Sequence, residues 1–167
     1  MTEVYLDATP LVALGQVGET DLLELLDGEV VIPAAVREAV DTEPARSNLD
    51  RFVDEHDAAV VDLATDQTDR ALAMFDVDEP TADTRVVEGV LAARETGDEV
   101  GVVSDDRRVR HVAQGLGATV TGTYGIVIRA AVEELNRSAA KRVVRRVDSQ
   151  GLHTTGELRE RLLGDGP

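Results

Sequence analysis

Short apolar runs that alternate with stretches of helical periodicity are the feature that most limits the fold of this 167-residue chain. Each run is long enough for one strand, and the stretches between them repeat apolar residues three and four positions apart. This alternation predicts parallel strands joined by crossover helices. We predict strands at residues 4–6, 30–32, 60–63, 100–103 and 119–121. The expected fold class is α/β, a three-layer α/β/α sandwich around a central parallel sheet.

Prolines mark where several helices are expected to begin. Thr9 followed by Pro10 predicts a helix start, because a proline at the first helical position loses no hydrogen bond. Pro33 predicts a second start of the same kind. A third helix is predicted over residues 80–95, from Pro80 to the Thr-Gly pair that follows Glu95.

The last third of the chain is predicted to be helical apart from one strand. Ser104 is predicted to cap a helix that stops at Gly117. Beyond residue 122 the periodicity is helical only, at residues 126–135, 138–147 and 157–163. With no internal repeat and no linker, we expect a single domain over residues 1–167, composed of an α/β core (1–123) and a helical tail (124–163).

The charge composition is unusual. The chain has 33 acidic and 17 basic residues, a formal net charge of -16 and a single lysine, Lys141. Such a surface repels phosphate at ordinary ionic strength, but at about 1 M salt the screening length falls to about 3 Å. We interpret the charge as an adaptation to concentrated salt, typical of a halophilic source. Local basic clusters are then better indicators of a nucleic-acid partner than the net charge is.

Composition also excludes several classes of protein. The chain has no cysteine, which excludes disulfides, thiolate nucleophiles and cysteine-bound zinc. Neither a basic segment followed by an apolar run at the start nor about 18 consecutive apolar residues elsewhere is present. We therefore expect a cytoplasmic protein without a membrane span, in which any metal is bound by oxygen or imidazole.

Acidic residues follow two of the predicted strands. Asp7 comes directly after the first strand, and Asp105 and Asp106 follow the fourth. Each acid alone is as well explained by helix capping. Because the carboxyl ends of parallel strands meet at one edge of a sheet, and these two strands would be neighbours in a doubly wound sheet, we expect the three acids to lie together.

A fourth acid is predicted to face the same place from a helix. Asp83 lies three, four, seven and eight residues before apolar residues of its helix, so it shares their buried stripe. A buried carboxylate needs a cap, an arginine or a metal as a partner. Glu88 projects about 140° away at 100° per residue, and we expect it on the surface.

Converging carboxylates are the ligands that Mg²⁺ or Mn²⁺ prefers. Such a site suits phosphodiester hydrolysis, because a bound cation lowers the pKa of the attacking water. Without a cation the acids would repel one another and a phosphate substrate.

The residues around these acids resemble the PIN-domain ribonucleases, in particular a VapC-like branch with a helical C-terminal tail. The resemblance is carried by YLDATPLVALGQVGETDLLELL, VVIPAAVREAV, VVSDDRRVRHVAQGLGATVTGTYGIVIRAA and VVRRVDSQGLHTTGELRERLL, in this order. It covers nearly the whole chain. It implies an endoribonuclease that uses Mg²⁺ or Mn²⁺, a homodimer, and a role as the toxin of a toxin–antitoxin pair with an antitoxin protein as partner.

The resemblance assigns site residues position by position. The first acid of the family falls on Asp7, with Thr9 as a supporting hydroxyl, and the third falls on Asp83. The fourth falls on the Asp105-Asp106 pair, without a choice between them. Ser104 is the second supporting hydroxyl.

The second acid of the family is a departure. Its expected position, three residues after the valine of the Ile-Pro-x-x-Val motif, is Ala39 in this chain. Glu38 lies one step earlier, about 100° round the helix. We include Glu38 among the catalytic candidates and keep open that it is a solvated surface residue.

Basic residues cluster beside the double Asp. Arg107, Arg108 and Arg110 are candidates for phosphate contacts with RNA, and the alternative is salt bridging with the surplus acids. Phosphatases with an aspartate nucleophile also place an acid after the first strand, but they need a lysine near the phosphoryl group. Lys141, the single lysine, lies in the helical tail and is poorly placed for that role. The main alternative to an enzyme is a noncatalytic RNA- or protein-binding module of the same fold with an incomplete metal site.

Overall fold

The computed structural model describes residues 2–133 together with residues 142 and 145. Within these residues the chain forms a parallel five-stranded sheet in the order β3-β2-β1-β4-β5. The strands are β1 (Glu3–Leu6), β2 (Glu29–Pro33), β3 (Ala59–Val61), β4 (Val100–Val103) and β5 (Thr119–Thr121). The predicted parallel sheet is confirmed, and β1 and β4 are neighbours in it, as a doubly wound sheet requires.

Helices flank this sheet to give a PIN-like α/β/α sandwich. A 3-10 helix (Thr20–Leu25) lies between β1 and β2. The α-helices of the described part are α1 (Ala8–Gln16), α2 (Ala34–Ala39), α3 (Ala45–His56), α4 (Thr68–Phe75), α5 (Ala82–Glu95), α6 (Arg107–Gly115) and α7 (Thr123–Glu133). The chain crosses the sheet in one direction from β1 to β3 and in the other direction after β3. Because parallel connections are right-handed, the connections before and after β3 lie on opposite faces. None of these helices combines the length and the apolar composition needed to cross a membrane.

The core is built from aliphatic side chains of the central strands and of the helices that pack on them. Leu6, Ile32 and Val103 are fully buried in β1, β2 and β4. Leu11 in α1 and Val90 in α5 are also fully buried. At roughly 2 kcal/mol for each buried side chain of this size, the hydrophobic effect holds the carboxyl ends of β1 and β4 side by side.

Two helices near this edge begin at other residues than predicted. α1 begins at Ala8, and its N-cap is Asp7, not Thr9. α6 begins at Arg107, and its N-cap is Asp106, not Ser104. Serine and aspartate are both good caps, so their order along the chain cannot decide between them. A tertiary contact of Ser104, described below, decides the second case.

Other predicted bounds differ by a few residues. α5 begins at Ala82 rather than Pro80, because Thr81 and Thr84 form a reciprocal capping box. α7 begins at Thr123 rather than at residue 126. The predicted helices at 138–147 and 157–163 lie outside the described residues.

Candidate metal centre

The turns that follow β1 and β4 meet at the carboxyl edge of the sheet. Leu6 pairs with Val103 at the end of the two strands, and the Asp7 backbone N–H donates to the Val103 carbonyl at 2.9 Å. This bond continues the ladder by one residue. It places Asp7 beside the turn formed by Ser104, Asp105 and Asp106.

Asp7 is buried, with 2% of its surface exposed. Its Oδ1 accepts from the Ala8 N–H at 2.8 Å, and its Oδ2 accepts from the Ser104 hydroxyl at 2.6 Å. Burial raises the pKa of Asp7, and repulsion from Asp106 and Asp105 adds to this, whereas the two hydrogen bonds oppose it. The net effect is a raised pKa, so the negative charge of Asp7 is not fully compensated.

Asp83 lies in the first turn of α5, is partly buried, and is close enough to Asp7 for the charge of Asp7 to raise its pKa. The pKa of Asp83 is raised to about 6, first by burial and then by repulsion from Asp7 and Asp106; Arg108 lowers it. A bound cation would offset the repulsion between these carboxylates.

The two residues of the double Asp have different surroundings. Asp105 faces Thr123, whose backbone N–H donates to Oδ1 at 2.8 Å and whose hydroxyl donates to Oδ2. Asp106 caps α6, with Oδ1 accepting from the Val109 N–H at 2.9 Å. Its Oδ2 accepts no hydrogen bond from any described residue. Asp106, and not Asp105, is among the groups that raise the pKa of Asp83.

The hydroxyls of Ser104 and Thr9, which were predicted to support the acids, both form hydrogen bonds at this edge of the sheet. Ser104 is fully buried, and its hydroxyl donates to Asp7 while it accepts from the Asp106 N–H at 3.0 Å. One side chain therefore connects two of the acids. The Thr9 hydroxyl accepts from the Asp105 N–H at 3.3 Å.

The candidates for the second acid stand apart from this group. Glu38 and Ala39 are both exposed at the end of α2. After burial, the groups that raise the pKa of Asp7 and Asp83 are other aspartates of this edge. The structure thus brings together Asp7, Asp83 and the Ser104–Asp106 turn, and no described contact links Glu38 to them.

The three candidate arginines also differ. Arg108 is exposed, stacks over the Phe75 ring at 5.1 Å from its centroid, and lowers the pKa of Asp83. Arg107 is exposed, whereas Arg110 donates to the Ser104 carbonyl at 2.8 Å. Arg108 is therefore the cation of this helix that lies near the acids, and Arg110 supports the turn.

The prediction that Glu88 lies on the surface was wrong. Its side chain is 1% exposed and accepts hydrogen bonds of 2.7 to 2.8 Å from the Thr65 N–H and hydroxyl, the Thr68 hydroxyl and the Arg85 guanidinium. The error came from assuming that α5 has one buried stripe. Gly89 and Ala93, which lie outside that stripe, are buried as well, and these small and apolar residues were the available signal.

A second group of polar side chains lies at the opposite edge of the sheet. One ligand atom each from Asp21, Glu55 and His56 lie within 4.8 Å of one another, and in the described part no trio at the carboxyl edge meets that distance. His56 forms ion-pair contacts with Glu24 at 2.8 Å and Asp21 at 3.3 Å. This cluster sits where α3 ends before β3 begins, so it is separate from the acids around Asp7.

The donor set at the carboxyl edge fits a hard divalent cation. Its oxygens are carboxylates, and the pKa of Asp83 is raised by burial and by its neighbours although Arg108 lowers it, so the negative charge is only partly compensated. Asp7, Asp83 and Asp106 could hold Mg²⁺ or Mn²⁺. Asp105 instead faces the turn after β5, where both of its oxygens accept hydrogen bonds from Thr123.

Comparison with known families assigns the chain to a family. The family model described as a PIN domain matches residues 3–165. The chain belongs to the PIN-domain family. PIN domains are generally nucleases and usually use divalent metals, so the family supports a hydrolase that acts on nucleic acid. A search of curated proteins gave no match.

Proposed function

We propose that this PIN domain is an Mg²⁺- or Mn²⁺-dependent endoribonuclease. The observation that carries the proposal is the proximity of Asp83 to Asp7 and Asp106 at the carboxyl edge of the sheet, where burial and these two charges raise the pKa of Asp83 and Ser104 donates to Asp7. Three acids from distant parts of the chain come near one another there, and Arg108, the described cation that lowers the pKa of Asp83, is exposed. Clustered, partly buried carboxylates lower the stability of a protein unless a cation binds to them.

Each residue has a distinct task in the proposed reaction. Asp7, Asp83 and Asp106 bind the cation, which when bound would lower the pKa of water and offset the charge of the phosphate. Ser104 orients Asp7 and the Asp106 backbone through its two hydrogen bonds. Arg108 lies on the exposed side of the acids, where a phosphate could contact it. Glu38 is left out of the centre, and Arg107 is a peripheral contact.

Cleavage of RNA in the presence of Mn²⁺ tests the proposal. We expect Asp7→Asn and Asp106→Asn each to lower the cleavage rate by about 100-fold or more, as is typical when a group that stabilises developing charge is removed. Asp54→Asn is the matched control, because Asp54 is an exposed aspartate on α3. The assay should be run at low and at about 1 M salt, because the net charge repels RNA most strongly at low salt. Equal rates in all four proteins would contradict the proposal.

A noncatalytic binding module is the second candidate function. Alanine at position 39, where the family places an acid, favours it, because three carboxylates give a weaker site than four. Isothermal titration with Mn²⁺ discriminates between the two. A folded protein that binds RNA but no Mn²⁺ would be the module.

The toxin role, the antitoxin partner and the homodimer are part of the proposal through the VapC-like resemblance alone. Expression of the wild type should arrest growth, and expression of Asp7→Asn should not. An adjacent gene product that restores growth would be the antitoxin, and its absence would favour RNA processing.

A further inference from the structure

The double Asp is divided between two tasks in this chain. Within the described part of the chain, Oδ2 of Asp106 accepts no hydrogen bond, whereas both oxygens of Asp105 accept hydrogen bonds from Thr123. We propose that Asp105 is a positioning residue that acts through Thr123 and fastens the turn after β5 to the turn after β4. This inference rests on the proposed function, because the turn after β4 carries Asp106.

The contact between the two turns is close and buried. Thr123 is fully buried, and its N–H and hydroxyl both donate to the Asp105 carboxylate. A Cβ at Gly122 would lie 2.6 Å from Oδ1 of Asp105 and 2.8 Å from Nη1 of Arg110. Only glycine allows the turn after β5 to approach so closely. Ser104 donates its N–H to the Thr121 carbonyl at 2.9 Å, so backbone pairing continues into the same contact.

The contact has a direct route to the acids that would bind metal. Asp105 stands between Ser104, which donates to Asp7, and Asp106, which faces the centre. Fixing the Asp105 side chain fixes the backbone on both sides of it. Arg110 holds the Ser104 carbonyl from the helix that follows. Loss of the Asp105–Thr123 contact would therefore leave the ligands in place but less well aligned.

Thr123 provides the means to separate this role from direct metal binding. We would compare wild type, Asp105→Asn, Thr123→Val and the double variant, with Asp106→Asn as the ligand variant. Thr123→Ser keeps the hydroxyl and is the conservative control. The measurements are Mn²⁺ affinity and stoichiometry by titration calorimetry, kcat and KM for RNA cleavage, and unfolding in urea.

We expect Asp105→Asn and Thr123→Val to lower kcat by a similar factor, about tenfold, because misalignment of catalytic groups by less than 1 Å costs this order. The double variant should be no worse than either single one, since both substitutions weaken the same bond between the Thr123 hydroxyl and the Asp105 carboxylate and both keep the Thr123 N–H as a donor. KM and Mn²⁺ stoichiometry should stay as in wild type, and Thr123→Ser should restore most of kcat. Asp106→Asn should instead weaken Mn²⁺ binding.

Two results would overturn the inference. Asp105 would be a metal ligand if Asp105→Asn weakened Mn²⁺ binding as strongly as Asp106→Asn while Thr123→Val had no effect. The contact would be unimportant if the losses of the two single variants were additive. A wild type that neither binds Mn²⁺ nor cleaves RNA would refute the proposed function instead, and additivity in the urea experiment would then decide the case for the contact.

Discussion

Helix α5 carries two carboxylates whose surroundings are opposite. Glu88 is 1% exposed, and hydrogen bonds from Thr65, Thr68 and Arg85 outweigh its burial, so its pKa is lowered. Asp83, five residues earlier, is more exposed, yet its pKa is raised to about 6 by burial and by the neighbouring Asp7 and Asp106. Burial alone therefore does not identify a functional acid. The useful criterion is whether the fold satisfies the charge, and it does so for Glu88 and not for Asp83.

The largest effect on stability is expected from replacing Glu88, the carboxylate whose charge the fold satisfies. Glu88→Gln should lower the free energy of unfolding by about 3 kcal/mol, because it leaves the Arg85 guanidinium and three donors without their charged acceptor. Since the pKa of Glu88 is lowered in the folded state, its contribution is present above the unfolded value of 4.5 and is lost as pH falls through the folded value. Urea unfolding at pH 7 measures the difference. Glu99→Gln, at an exposed position, should leave the midpoint unchanged.

Asp83, the carboxylate whose charge the fold does not satisfy, should make the free energy of unfolding depend on bound metal. Mn²⁺ at about 100 times its Kd should raise the free energy of unfolding of the wild type by about 2.7 kcal/mol, because it binds the folded chain alone. Asp83→Asn should lose most of this gain, and Glu88→Gln should keep it despite its lower starting stability. Thermal unfolding with Mn²⁺ and with EDTA provides the measurement. An equal gain in Asp83→Asn and wild type would place the cation elsewhere, for example at the Asp21, Glu55 and His56 cluster.

Without metal, removal of the same carboxylate should stabilise the protein. The pKa of Asp83 is raised above its unfolded value of 3.8, so its favourable contribution is present below pH 3.8 and is lost as pH rises through about 6. Asp83→Asn should therefore be more stable than wild type at pH 8, by on the order of 1 kcal/mol after solvent screening of a half-exposed group. The advantage should vanish near pH 4. A constant difference between pH 4 and pH 8 would contradict this account.

The smallest effect is expected from replacing Arg108, which lowers the pKa of Asp83. Arg108→Gln should move the pKa of Asp83 upward, because it removes the opposite charge while Asp7 and Asp106 remain. Arg107→Gln, the adjacent exposed arginine of α6, is the matched control. NMR titration of the Asp83 carboxyl carbon measures both. The same upward shift in the control would mean that Arg108 acts only through the net charge.

The sequence was informative wherever a pattern reflects one element at a time. Strand residues 100–103 and 119–121 were predicted with their observed bounds, because apolar runs between turn signals leave little choice. The meeting of Asp7 with the double Asp followed from strand order, which the rules of parallel sheets restrict to few alternatives.

What the sequence left open depends on contacts between distant residues. Ser104 and Asp106 are both suitable caps for α6, and the choice follows from the hydrogen bond between Ser104 and Asp7, 97 positions away. Glu88 looked solvated because two of the residues that satisfy it, Thr65 in the loop before α4 and Thr68 at the start of α4, are not connected to α5 by any periodicity. The division of labour between Asp105 and Asp106 likewise depends on Thr123.

The pairing of β1 with β4 also has a consequence for synthesis of the chain. Asp7 leaves the ribosome early, but its partners in and after the neighbouring strand β4 are made nearly a hundred residues later. Until β4 docks on β1, the emerging polypeptide lacks the assembled acidic edge. Translation products that end before β4 therefore cannot form it.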